Sequence, residues 1–169
     1  MHFLERNGYD VAYQTDVDTD RQPATLFRQQ LVIVIGHDEY WTENMRTSFE
    51  KARDAGINLA FFGANDGYWQ MRYADETRRV IVEYRRPDFD PEPDPALKTQ
   101  RFRTLNPARP ECKLIGVQFQ DDPRPDGTTS SLGSEHDYTV ATTADPWFAH
   151  TGFTAGATLN DLVGLEWDN

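Results

Sequence analysis

The chain has 169 residues, with 28 Asp plus Glu against 17 Lys plus Arg and a formal net charge of -11. That acidic excess repels phosphate backbones and anionic bilayers, which argues against nucleic acid and membrane as partners and favours a small neutral or cationic ligand. A lone Cys112 rules out an intramolecular disulfide and a thiolate metal cluster, and no apolar run approaches the ~20 residues that span a bilayer. No charged-then-apolar leader opens the chain, so a cytoplasmic location is expected. The length suits one α/β domain over residues 1–169.

Met1 to Asn7 has helical character and stops at Gly8, a good C-cap. A helix usually follows a strand in a βαβ protein, so the chain is expected to be a fragment that lacks an upstream first strand and downstream segments. Tyr9 to Tyr13 alternates β-formers and predicts a short strand. An acidic turn, Asp16 to Asp20, leads to Pro23, which opens a short helix contributing Leu26 and Phe27. Leu31 to Ile35 is an unbroken apolar run and predicts a buried strand. It ends in Gly36-His37-Asp38-Glu39-Tyr40-Trp41, a polar and aromatic turn at the carboxyl end of a strand, where open α/β sheets bind ligands.

Thr42 can cap the next helix, in which Met45, Phe49 and Ala52 form one apolar stripe, and Gly56 closes it. Ile57 to Phe62 predicts a second parallel strand ending in Gly63-Ala64-Asn65-Asp66-Gly67-Tyr68-Trp69. A right-handed crossover brings both turns to one edge of the sheet, so Tyr40 and Tyr68 are expected to face one cleft. Arg78 to Tyr84 reads as a strand, Arg85 to Pro110 as a long proline-rich excursion, and Lys113 to Phe119 as a strand. Gln120 to Ser134 reads as loop, Tyr138 to Thr142 as a short strand, and Pro146-Trp147-Phe148 as a helical turn. Leu162 to Asp168 closes the chain as a strand whose end carries Glu166.

Three strand ends therefore offer Tyr40, Tyr68 and Glu166. A free phenol has a pKa near 10, so its ligation at neutral pH calls for a strongly Lewis-acidic ion, with ferric iron the natural candidate. The alternative is that these aromatics seal the top of the sheet with their hydroxyls hydrogen-bonded. Residues 37–39 cannot all converge on one ion, because neighbours on an extended segment point opposite ways. Either one or two of them support a ligand, or Asp38 and Glu39 favour the N-terminus of the following helix. No Ser or Cys occupies a tight glycine-flanked elbow, and His136 and His150 read as ordinary loop histidines. The glycines at 63 and 67 lack the lysine of a P-loop. Arg101 and Arg103 either clamp an anion or are solvated loop arginines.

Together, Phe3-Leu4-Glu5-Arg6-Asn7-Gly8-Tyr9-Asp10-Val11, the Gly36 to Trp41 turn, Phe62 to Trp69 and the closing Gly164-Leu165-Glu166-Trp167-Asp168 resemble the large (beta) subunit of N,N-dimethylformamidase and its relatives. The resemblance implies a flavodoxin-like, class I glutamine-amidotransferase-like fold: a mostly parallel sheet flanked by helices, within a larger catalytic subunit. It also implies a mononuclear iron held by Tyr40, Tyr68 and Glu166. His37 and Glu39 then join the catalytic machinery as support for those ligands. The expected function is metal-dependent hydrolysis of a small amide or related C–N bond, with self-association or a small accessory subunit as partner. The competing expectation is a non-catalytic α/β module that binds a partner or carbohydrate through Trp41, Tyr68 and Trp69.

Overall fold

The computed structural model describes residues 2–119 and 136–163, and the chain divides into two compact units, 1–116 and 117–169. In the first unit, helix α1 (His2–Arg6) is followed by α2 (Asp16–Arg21) and a 3-10 turn at Pro23–Arg28. Strand β1 (Leu31–Ile35) runs parallel to β3 (Asn58–Phe62), and β2 (Tyr40–Thr42) runs parallel to β4 (Trp69–Tyr73), which pairs antiparallel with β5 (Ile81–Val82). Helix α3 (Glu43–Asp54) connects β2 to β3, and the short α4 (Cys112–Ile115) ends the unit. The second unit holds the antiparallel pair β6 (His136–Thr139) and β7 (Thr158–Val163), beside which Val140 is buried. Among the described residues no helix is long and apolar enough to cross a membrane.

The architecture is mixed α/β, as expected, but the described strands form three small sheets rather than one mostly parallel sheet. Strand β1 is less buried than an unbroken apolar run implies. Val32 and Val34 turn towards the core, while Leu31 and Ile35 on β1 and Phe62 on β3 are exposed. Pairing with β3 covers only an edge of β1, and the core covers one face of the two-stranded ribbon, whereas such runs ordinarily mark strands covered on both faces.

Helix α3 is the best-specified element. Thr42 Oγ1 accepts from the Met45 amide at 3.1 Å, and the Thr42 hydroxyl in turn donates to Asp20 at 2.6 Å, which fixes the start of the helix. Met45, Phe49 and Ala52 are buried, and Trp41, fully inaccessible, stacks on Phe49 at 4.5 Å. The excursion from Arg85 to Pro110 completes this core by burying Phe102 and Leu105. Asp90 anchors it to β4: both carboxylate oxygens accept from Arg72 at 2.7 Å, and Thr99 donates through its amide and its hydroxyl. The Arg72 guanidinium holds the Asp90 carboxyl well below the usual range.

Several expected elements differ. Tyr9 to Tyr13 pairs with no strand among the described residues, and the Tyr13 hydroxyl donates to Glu5 instead. The acidic turn at Asp16 is helix α2, opened by a reciprocal capping box between Thr15 and Asp18. The strand expected over Arg78 to Tyr84 shortens to Ile81–Val82. Lys113 to Phe119 is not a strand, because α4 forms there and ends at Gly116 with φ 86°. Gln120 to Ser134 lies outside the described residues.

The two strand-end turns touch at Gly63, where an added Cβ would overlap the Gly36 carbonyl oxygen. Gly63→Ala must therefore push the turns apart, costing roughly 2–3 kcal/mol. Gly56→Ala meets open space and should cost about 1–2 kcal/mol, from its left-handed backbone alone. Urea unfolding of both variants checks this, and equal costs would contradict the close approach.

Candidate functional site

The turns after β1 and β3 are hydrogen-bonded into one piece. The Gly36 amide donates to the Phe62 carbonyl at 3.1 Å, which continues the β1–β3 ladder past its end. The Asp38 amide donates to Asp66 Oδ1 at 3.1 Å, and the Gly67 amide returns a bond to the Asp38 carbonyl at 2.8 Å. The Glu39 carbonyl then accepts from both Tyr68 and Trp69, at 3.0 and 2.9 Å. Asn65 and Gly67, at φ 62° and 59°, bend the second turn enough to present these donors. From there β2 and β4 start in register, with Tyr40 opposite Trp69.

This arrangement brings the two candidate tyrosines to neighbouring positions, with Tyr68 one residue before the partner of Tyr40. Tyr40 and Trp69 share a guanidinium: Arg85 lies 5.3 Å from each ring centroid, and its Nη2 donates to the Tyr40 hydroxyl. Tyr68 and Trp69 share another, Arg101, at 5.3 and 5.5 Å, while Arg103 lies 5.1 Å over Tyr68. Trp69 is thus the common wall between the tyrosines. Arg103 is no solvated loop arginine, since it grips the buried Glu111 at 2.7 Å.

Residues 37–39 divide as an extended backbone requires. His37 Nε2 and Glu39 Oε2 meet at 3.2 Å, so this candidate pair stands together beside Tyr40. Asp38 turns away towards Asp66 and Asp16. Burial, reinforced by the charge on Asp16, raises its pKa to about 7. The Trp41 indole N–H offsets part of that rise.

Glu83 was not singled out in the sequence, yet it joins this edge. Its Oε1 accepts from the Arg85 amide at 2.7 Å, and among the described residues its buried Oε2 has no hydrogen-bond partner. Burial raises its pKa to about 7, the Arg85 amide opposes the rise, and the charges of Asp90 and Glu39 add to it. A carboxylate ending an apolar strand pattern was the available signal. Arg85 gave none, because only the fold brings it to Tyr40.

Two phenol oxygens, once ionised, are hard anionic donors and fit a hard, strongly Lewis-acidic ion. Among the described residues no group of three or more His, Cys, Asp or Glu could hold a metal. Glu166, the third expected ligand, lies outside the described residues. The aromatic surface expected for a binding module is mostly unavailable, since Trp41 is fully inaccessible and Tyr68 is 4% exposed.

A family model described as N,N-dimethylformamidase beta subunit-like, C-terminal, matches residues 1–169. The chain belongs to that family. No curated protein matches it.

The Asp38 carboxyl, ordinarily near 3.8, holds its proton to about pH 7 in the folded state. The folded chain thus binds a proton that the unfolded chain has released. Its contribution to stability is intact below about pH 4 and is lost as the pH rises through about 7. Asp38→Asn should therefore be more stable than wild type at pH 8, by about 1–3 kcal/mol, with the gap closing towards pH 4. Denaturation at both pH values checks this, and a gap independent of pH would contradict it.

Proposed function

We propose, from that family membership, that the chain is part of a metal-dependent hydrolase that cleaves a small amide or related C–N bond. The match over residues 1–169 carries the reading. In this proposal Tyr40, Tyr68 and Glu166 hold one ferric ion. When bound, such an ion supplies Lewis acidity towards an amide carbonyl and a water molecule. The glutamine-amidotransferase-like fold, a cytoplasmic location, and assembly with a small accessory subunit or further copies of the chain belong to the same proposal.

The residues of the edge have definable tasks in it. Arg85 fixes the Tyr40 ring between its guanidinium and β2, so the phenol oxygen has a set position. The His37–Glu39 pair and Glu83 offer proton carriers nearby, and burial raises the Glu83 pKa to about 7, so near neutral pH it is protonated in part and can give a proton to a leaving amine. Tyr68, almost fully buried, gains ligand geometry from its amide and carbonyl, which are bonded to Glu39 and Phe102.

Protein purified after growth in iron-supplemented medium should contain close to one iron per chain and show a visible tyrosinate-to-metal absorption. Tyr68→Phe and Tyr40→Phe should each lose the band and most of the metal, and release of dimethylamine from N,N-dimethylformamide should fall at least 100-fold. Protein that stays colourless and iron-free after reconstitution with ferric salt would overturn the metal assignment. Ligand binding that survives both chelation and loss of the phenol hydroxyls would favour the non-catalytic module.

A further inference from the structure

A pocket of about 370 Å³ lies over β4 and the turn that follows it, and neither candidate tyrosine lines it. Its lining sets the carboxylates of Asp20, Glu43, Asp75 and Glu76 against two arginines, Arg72 and Arg78. Both arginines are engaged. Arg72 holds Asp90, which stands outside the lining, through two bonds of 2.7 Å, and Arg78 holds Asp20 at 2.5 Å. Glu43 and Glu76 meet arginines only at 3.3 Å, and Asp75 accepts from Thr77. These three carboxylates set the sign of the pocket, which calls for a cation. Among the described residues no group of three or more His, Cys, Asp or Glu could hold a metal, so an organic cation fits the lining better than a metal ion.

We propose that this pocket binds a small primary alkylammonium ion, its head donating to Gln70 Oε1 in the field of Glu43, Asp75 and Glu76. Gln70 lines the pocket and is 1% exposed. Its Nε2 donates to the Ala96 and Lys98 carbonyls, at 2.8 and 3.0 Å. Those two bonds fix which way the amide faces, because the reverse orientation would set its oxygen against two other carbonyl oxygens. Its Oε1 is thus a buried acceptor, and among the described residues it has no hydrogen-bond partner. Such an acceptor ordinarily finds a donor. Leu97, between the two carbonyls that hold Gln70, lines the same pocket with Tyr73 and Ala74, and these give a hydrocarbon body its walls. The volume suits an amine of a few carbons.

The site is also pre-formed. Asp20 gathers one wall: its carboxylate accepts from Thr42 at 2.6 Å and from Arg78, and its carbonyl accepts from Asn44 at 2.5 Å. Arg78 has φ 55°, a left-handed backbone held by that ion pair. Across the pocket, the Gln70 amide donates to the Gln100 carbonyl at 2.8 Å. Little ordering is left for a ligand to impose, so modest contacts suffice for measurable binding. A quaternary ammonium carries the charge without an N–H for Gln70, and a planar guanidinium needs a carboxylate with both oxygens open, whereas those of Asp20 are both taken. A primary ammonium meets both requirements. The inference goes beyond the proposed hydrolysis and does not depend on it, because binding can be read without turnover.

Calorimetric titration of the full chain at pH 7 and fixed ionic strength tests it, with n-butylammonium as probe, 1-butanol as its neutral counterpart and tetramethylammonium as the cation without a donor. The expected result is one saturable butylammonium site, at least tenfold tighter than either comparison ligand. Q70L should weaken butylammonium at least tenfold. E76Q, at an exposed position, should weaken it about threefold and leave butanol unchanged, and D10N, which removes a carboxylate outside the pocket, should bind as wild type does. Butanol or tetramethylammonium binding as tight as butylammonium, no saturable site, an unaffected Q70L, or a D10N loss equal to that of E76Q would each overturn the assignment. Should Q70L fail to fold, the wild-type ligand comparison together with E76Q against D10N decides the matter.

Discussion

Everything at the candidate site depends on the hydrogen bonds between the turn at Gly36 and the turn at Gly63. Each turn alone is a glycine-bearing loop at the end of a short strand. Joined by the Asp38, Asp66, Gly67 and Glu39 contacts, they become one rigid edge, and the register of β2 against β4 follows from it. That register decides which aromatic side chains meet. The absence of a side chain at Gly63 is what lets the two backbones approach, while Trp41, stacked on Phe49 directly below, ties the edge to helix α3. A parallel pairing over only three residues of each strand is too short to hold such an arrangement by itself. Its stability is borrowed from the turns and from the core.

Electrostatics gives the edge its second character. A strongly acidic chain places Asp16 and Asp66 near enough to Asp38 to help raise its carboxyl pKa, at a cost in stability. The excursion from Arg85 onwards brings arginines over Tyr40, Tyr68 and Trp69. The excursion is held in place by separate ion pairs, Asp90 with Arg72 and Glu111 with Arg103, in which the carboxylate is buried and hydrogen-bonded on both oxygens or by more than one donor. Arg72 and Arg103 thus hold the loop, and Arg85 lies against Tyr40 and Trp69.

Local patterns in the sequence were sufficient for some of this. Thr42 as a cap, the Met45, Phe49 and Ala52 stripe and the two strand-end turns are all decided by interactions within a few residues or by one amphipathic face. The capping box at Thr15 and Asp18 was equally local and went unread behind the acidic composition. Tyr9 to Tyr13 carries β-formers without a partner strand among the described residues, and over Lys113 to Phe119 helix α4 takes the place of the expected strand; pairing, not propensity, makes a strand. The exposure of Leu31, Ile35 and Phe62 had no sequence signal, because an apolar run cannot say how many of its faces will be covered. At the candidate site, the approach of the Tyr40 and Tyr68 turns followed from the crossover between two parallel strands, and the meeting of His37 with Glu39 from alternation along an extended segment. Arg85, Glu83 and the central place of Trp69 depend on contacts across tens of residues, which spacing does not encode.

The central claim is that the two turns form one cooperative unit that sets the tyrosine edge. Native-state hydrogen exchange at the amides of Gly36, Asp38, Gly67, Tyr68 and Trp69 tests it most directly, since each is a donor in the shared network. The account predicts that these amides open together, with one common free energy and one common dependence on denaturant. Exchange of Gly36 and Asp38 at a free energy distinct from that of Gly67, Tyr68 and Trp69 would show two independent loops and contradict it.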